Sequence, residues 1–189
     1  MRAGDRVTAM TDPTVAALWV DLLGRLAGPA GHAVNNALNN VAINLAVVQS
    51  RPGATEFAGR ADEYLTEAAR MTRAVLALAR PVPTPVEPAS VVHQLVLVLA
   101  ATGRRIEIVD EQMGRTVTTT IDGTAVRLAL ACALMGDAVT QVHVRGEEVR
   151  IEGAALEDDV VAAVRRAGVA LRVEPGQVTF TFSGVAIPA

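Results

Sequence analysis

Residues 55–80 read TEFAGRADEYLTEAARMTRAVLALAR. Phe57, Ala61, Tyr64, Ala68, Met71, Val75 and Leu78 alternate steps of four and three along this stretch, a heptad seam that predicts one long amphipathic helix. Just before it, Arg51-Pro52-Gly53 supplies a helix stop and a turn. On the far side of that turn the pattern from Val15 to about Ser50 is again helical, with Ala30, Val34, Leu38, Val41, Leu45 and Val48 at steps of three and four. Thr11-Asp12-Pro13 marks its start, with Asp or Thr as the cap and proline in the first turn. Two such helices joined by a short turn predict an antiparallel hairpin. Two helices cannot bury both stripes alone, so pairing with a second copy as a homodimeric four-helix bundle is the expectation. The alternative is that the hairpin packs on the chain's own C-terminal part.

Working outward, residues 81–88, PVPTPVEP, hold four prolines in eight positions. Such a segment cannot be helical and is expected to be a stiff, extended linker. It divides the chain into a helical hairpin over 11–80, a linker over 81–88 and an α/β domain over 89–189. In the last part the patterning predicts a helix over 89–101, strands over 106–110 and 116–121, and a helix over 123–138. Strands at 141–145 and 148–152, a helix over 156–167, and strands at 170–174 and 177–182 around Pro175-Gly176 complete the order. The expected fold class is α+β, the hairpin followed by a small α/β sandwich with helices on one sheet face.

Composition narrows the function. Of 189 residues 51% are hydrophobic, ample for a core, and the net charge of −3 lacks the basic field of a nucleic-acid-binding protein. All 17 basic residues are arginine, suited to bidentate pairing. One cysteine, Cys132, allows no intramolecular disulfide and no multi-cysteine zinc site. Met1 to Met10 lacks a signal-peptide pattern, and no apolar run reaches the 18 or so residues needed to span a bilayer. A soluble cytoplasmic protein without a membrane partner is expected.

The feature that points to chemistry is GPAGHAVNNALNN, residues 28–40. Asparagine costs several tenths of a kcal/mol per helical position relative to alanine, so the run asks for a reason. At about 100° per residue, His32 lies about 165° from the mean direction of the apolar stripe and points to solvent. Asn35, Asn36 and Asn39 fall within about 60° of it, Asn36 one turn onward. An exposed imidazole beside amides can meet a water or a phosphoryl oxygen without added negative charge. Gly28-Pro29 allows two readings: a proline inside one long helix, or a new helix starting there and placing its positive end near His32. Elsewhere, His93 is expected to be partly buried in a helix, His143 to face outward from a sheet, Cys132 to be core, and 157–159 (EDD) to be an acidic first helical turn. No metal-ligand spacing joins the histidines.

His32-Ala33-Val34-Asn35-Asn36-Ala37-Leu38 resembles the H-E-[IV]-N-N-P-L phosphoacceptor box of bacterial two-component sensor histidine kinases, on the first of two antiparallel helices as there. The resemblance implies that His32 carries a phosphoryl group and that Asn36 orients water for dephosphorylation. Ala33 stands where the family has an acidic residue, and Ala37 where it has proline. The element order after the linker, with Asp122 ahead of its helix and VTFTF as a closing strand, is similar to the ATP-binding domain of those kinases. The nucleotide chemistry is missing: Cys132 or Ala133 occupies the magnesium-ligand position, and Glu152-Gly153-Ala154-Ala155 replaces the D-x-G-x-G box. Magnesium needs hard oxygen ligands and phosphates need backbone donors, so this domain, a degenerate ATPase domain, is expected to take no cofactor. The whole is similar to dimeric histidine phosphotransferases, which relay phosphate between response regulator receiver domains. An inactive, kinase-like scaffold that binds a response regulator is the alternative.

Overall fold

The computed structural model describes residues 12–51, 53–80, 86–110, 117–182 and 184–186. Helix α1 spans Pro13–Ser50, a rod of about 57 Å. Asp12 caps it, accepting a hydrogen bond from the Thr14 amide at 2.8 Å, and Pro13 occupies the first position. Gly53, at φ 98°, takes the turn in a conformation that side-chain-bearing residues rarely adopt. Helix α2 then covers Thr55–Ala79 and packs along α1. Ala61, Ala68, Met71 and Leu78 of the heptad seam are buried, Phe57 and Val75 are half-buried, and Tyr64 is exposed.

The face of α1 differs from the expectation. Ala30 and Ala37 are buried, whereas Leu38 and Leu45 remain 44% and 45% exposed. Alanines let the two helices approach closely, and the larger stripe residues are left on the flank. Nearer its start, Val15, Trp19, Leu22 and Leu26 are buried on the other helices of the chain. A helix this long meets different neighbours along its length, so one averaged apolar direction does not describe it.

Of the proline-rich stretch, residues 81–85 lie outside the described residues. Val86 pairs with Thr119 through two backbone hydrogen bonds, and Pro88 already opens helix α3, Pro88–Ala100. Strands β1 (Glu107–Asp110) and β2 (Val117–Thr119) precede α4, Gly123–Leu134, which Asp122 caps through the Thr124 and Ala125 amides. Strands β3 (Gln141–Arg145) and β4 (Glu148–Glu152), helix α5 (Asp158–Arg166), and strands β5 (Ala170–Glu174), β6 (Gln177–Thr181) and β7 (Gly184–Ala186) follow. The main sheet has the order β1-β3-β4-β6-β5, parallel only at β1–β3. Strand β2 stands apart and pairs with β7, which the sequence pattern did not foresee.

Val142, Val144, Val149, Ile151, Val178 and Phe180 form the buried face of the sheet. Ten of the twelve α4 residues are buried, which makes α4 the central helix, touching α1, α3 and α5. One continuous core therefore runs from Val15 and Trp19 through Leu78 to Phe182. Two arginines close helix ends inside it. Arg104 donates to the carbonyls of Leu134 and Gly136 at the end of α4. Arg127, only 7% exposed, donates to Leu78 at 2.9 Å and Arg80 at 2.6 Å through Nη1, and to Ala77 at 2.6 Å through Nη2, at the end of α2. Those carbonyls have no donor within their own helix, so the guanidinium takes the place of water.

Gly153 is the tightest backbone contact. It has φ +77°, a Cβ there would lie 2.1 Å from the Ala138 carbonyl oxygen, and its amide donates to Gly176 at 2.7 Å. Gly168 has a similar φ of +87° with open space around it. Gly153→Ala should therefore cost about 3 kcal/mol, combining left-handed strain with overpacking, and Gly168→Ala about 1 kcal/mol from strain alone. Urea unfolding of the two variants measures both values.

Candidate functional site

Helix α1 runs unbroken through Pro29. The reading in which a new helix starts there is thereby corrected: His32 sits in the middle of a 38-residue helix, far from either end of its dipole. Pro29 has no N–H to give the Arg25 carbonyl, one turn earlier, so that helical hydrogen bond is missing. His32 is exposed, and so are Asn35, Asn36 and Asn39. The only carboxylate on α1 is Asp21, eleven residues before the imidazole. Asn40 and Asn44 are half-buried, with Asn44 Nδ2 donating to the Asn40 carbonyl at 2.7 Å.

One turn beyond His32, Asn36 lines a groove of about 350 Å³. Ala33 and Ala37 form its α1 wall, Tyr64 and Met71 its α2 wall, and Ala100 and Ala101 close it from the end of α3. His32 is not among its lining residues. Imidazole and amide therefore share a helix face, but only the amide reaches the groove.

The other sequence candidates fall away from this site. His93 is exposed, not partly buried as expected, and its Nδ1 lies 2.8 Å from the Ala89 carbonyl of its own helix. Positions 88, 91, 92, 95, 98 and 99 are the buried ones of α3, which turns 93 outward. His143 lies on the polar face of the sheet, Nε2 3.1 Å from Gln141 Oε1 and 3.4 Å from Glu152 Oε1, a ladder contact between strands. The acidic run does open α5, with Asp158 and Asp159 in its first turn. Among the described residues, no group of three or more His, Cys, Asp or Glu is placed to hold a metal.

Cys132 is half-buried at the edge of a second cavity, about 310 Å³, and not core as expected. Leu18, Leu22 and Arg25 of α1 form one wall, facing Met135 and Glu157. Three carboxylates, Asp21, Glu157 and Asp159, and one guanidinium line it, a balance that disfavours polyphosphate. Residues 153–157 alone join β4 to α5, too few to wrap a phosphate chain. Burial, with Glu157 second, pushes the Cys132 thiol up to about 11. Sequence reasoning missed Arg127 and Gly153. The available signals were a lone charge inside an apolar helix and a glycine directly after a strand.

No family model matches this chain, and no curated protein matches it. Among solved structures it is similar to a bacterial phosphotransferase, at 12% identity and a TM-score of 0.40, with 87% of this chain and 96% of that one covered. A likeness at that score does not establish a shared fold. No described helix is long and apolar enough to cross a membrane.

Because the folded state raises the thiol's pKa, Cys132 stays protonated at neutral pH. Its alkylation by iodoacetamide should be slow at pH 8 and climb with a midpoint near 11. Rates followed by mass spectrometry between pH 7 and 11.5, at ~0.5-unit steps, check this against the ordinary thiol range of about 8.5.

Proposed function

We propose that this protein is a cytoplasmic, homodimeric histidine phosphotransfer protein that relays phosphoryl groups between response regulator aspartates through His32, without a nucleotide. The observation that carries the reading is the exposed imidazole of His32 on an unbroken helix, flanked by exposed Asn35, Asn36 and Asn39 and by no carboxylate on the adjoining turns. A neutral ring nitrogen attacks the phosphorus of an aspartyl phosphate. The N–P bond forms as the acyl O–P bond breaks, the aspartate leaves as carboxylate, and the ring proton passes to solvent. Amide side chains donate to the transferring oxygens without repelling them. Asn36 orients the water that ends the life of the phosphohistidine.

A second copy of the chain covers the flank of α1. Leu38 and Leu45 are exposed there, Val41 and Val48 half-exposed, and α2 adds Leu65 at 50%. The α/β part after the linker is a nucleotide domain that has lost its nucleotide chemistry and keeps a supporting role. Ala33, in place of the acidic neighbour, favours the second reading, a scaffold that binds a response regulator without chemistry.

Incubation with a phosphorylated receiver domain tests the proposal. Label should reach the protein in an acid-labile, alkali-stable form, and His32→Gln should slow transfer by about 10³-fold or more. Asn36→Ala should lengthen the lifetime of the phosphohistidine about tenfold, the worth of one positioned hydrogen bond. Transfer that is undiminished in His32→Gln contradicts the assignment. No transfer to the wild type from a panel of receivers leaves the scaffold reading standing.

A further inference from the structure

We propose that Arg127 is a latch that holds the hairpin and the α/β part together as one rigid body. Its guanidinium is buried, and among the described residues its partners are backbone carbonyls alone: Ala77, Leu78 and Arg80, 47 to 50 residues away in sequence. Nε is buried without a hydrogen-bond partner. A buried charge is costly unless something compensates it, and here the negative end of the α2 dipole and three orphan carbonyls do so together. Burial pulls the Arg127 pKa below its ordinary value, and an arginine remains protonated nonetheless. Both halves of this arrangement need each other. If α4 moves away from α2, a cation loses its cage and the helix loses its cap, so intermediate positions of the α/β part are unfavourable.

A second contact closes the same joint from the other side. Trp19, Leu22 and Leu26 of α1 are buried, α1 packs on α4, and Arg166 of α5 approaches the capping carboxylate of Asp12 at 3.7 Å. The α/β part is thus held at the end of α2 by Arg127 and along the first turns of α1 by apolar packing. The cavity at Cys132 is walled by α1 residues 18 to 25, and His32 lies seven residues further, about 10 Å along the same rod. In a locked body that separation does not close. On the phosphotransfer reading, the phosphoryl group must then arrive from a separate protein; the mechanical claim itself does not rest on that reading.

Pulsed electron resonance between spin labels at two exposed positions, Glu63 on α2 and Glu174 on β5, tests the latch without any phosphoryl chemistry. With labelled chain diluted in excess unlabelled chain, so that each homodimer reports one intramolecular pair, the wild type should give a single narrow distance peak and one unfolding transition shared by Trp19 fluorescence and circular dichroism. Arg127→Met should at least double the width of the peak and separate the two unfolding signals. Arg127→Lys keeps the charge but reaches fewer carbonyls and should fall between, which reads the latch even if the Met variant does not fold. A broad wild-type distribution overturns the proposal, as does a Met or Lys variant with wild-type width and transition. Failure here leaves transfer to His32 untouched, and failure of transfer leaves the latch untouched.

Discussion

A buried guanidinium that donates to three backbone carbonyls joins the two parts of the chain. Arg127 sits in the most buried described helix and reaches out of it to the C-terminal end of α2. Arginine suits this place because its planar fork serves several acceptors and its charge answers the negative end of the helix. Arg104 repeats the device at the end of α4 itself. Each of these helices therefore ends against the fold with an arginine on several of its terminal carbonyls, and the core can run on past the helix ends.

The α/β part packs on the first turns of α1 and, through α3, along the second half of α2, with the end of α3 reaching the groove beside Asn36. His32 lies on the exposed face of α1, just after Pro29, where the helix is continuous but one hydrogen bond short. A side chain there is carried on a stiff rod and is open to an approaching protein. The amides around it bring donors without charge, and the groove beside Asn36 takes its walls from both parts of the chain.

Much of this was legible in the sequence because it is periodic. The heptad of α2, the Pro-Gly turn and the outward direction of His32 all follow from spacing alone, and β3, β4 and β5 begin and end at the residues that alternation predicts. What was not legible depends on long-range partners. Leu38 and Leu45 share a stripe with Ala30, yet α1 uses its alanines against α2, a choice that only the three-dimensional approach of the helices makes. His93 was misplaced because a short helix with six buried positions leaves little margin for assigning one more. Strand β7, three residues long, carries too little pattern to be read, and the strand expected over 116–121 forms only as the short β2. Arg127 and Gly153 announce a need for partners but not which partners, since these lie far off in sequence or in a loop.

Site mapping under alkaline conditions, after exposure to a phosphorylated receiver, puts the most direct question to the account. Tandem mass spectrometry should place a phosphoryl group on the peptide that contains His32, and none on His93 or His143, which are held by a helix carbonyl and by strand neighbours. A modified His93 or His143 with His32 unmodified would contradict the central claim, that the exposed middle of α1 is where this protein does its chemistry.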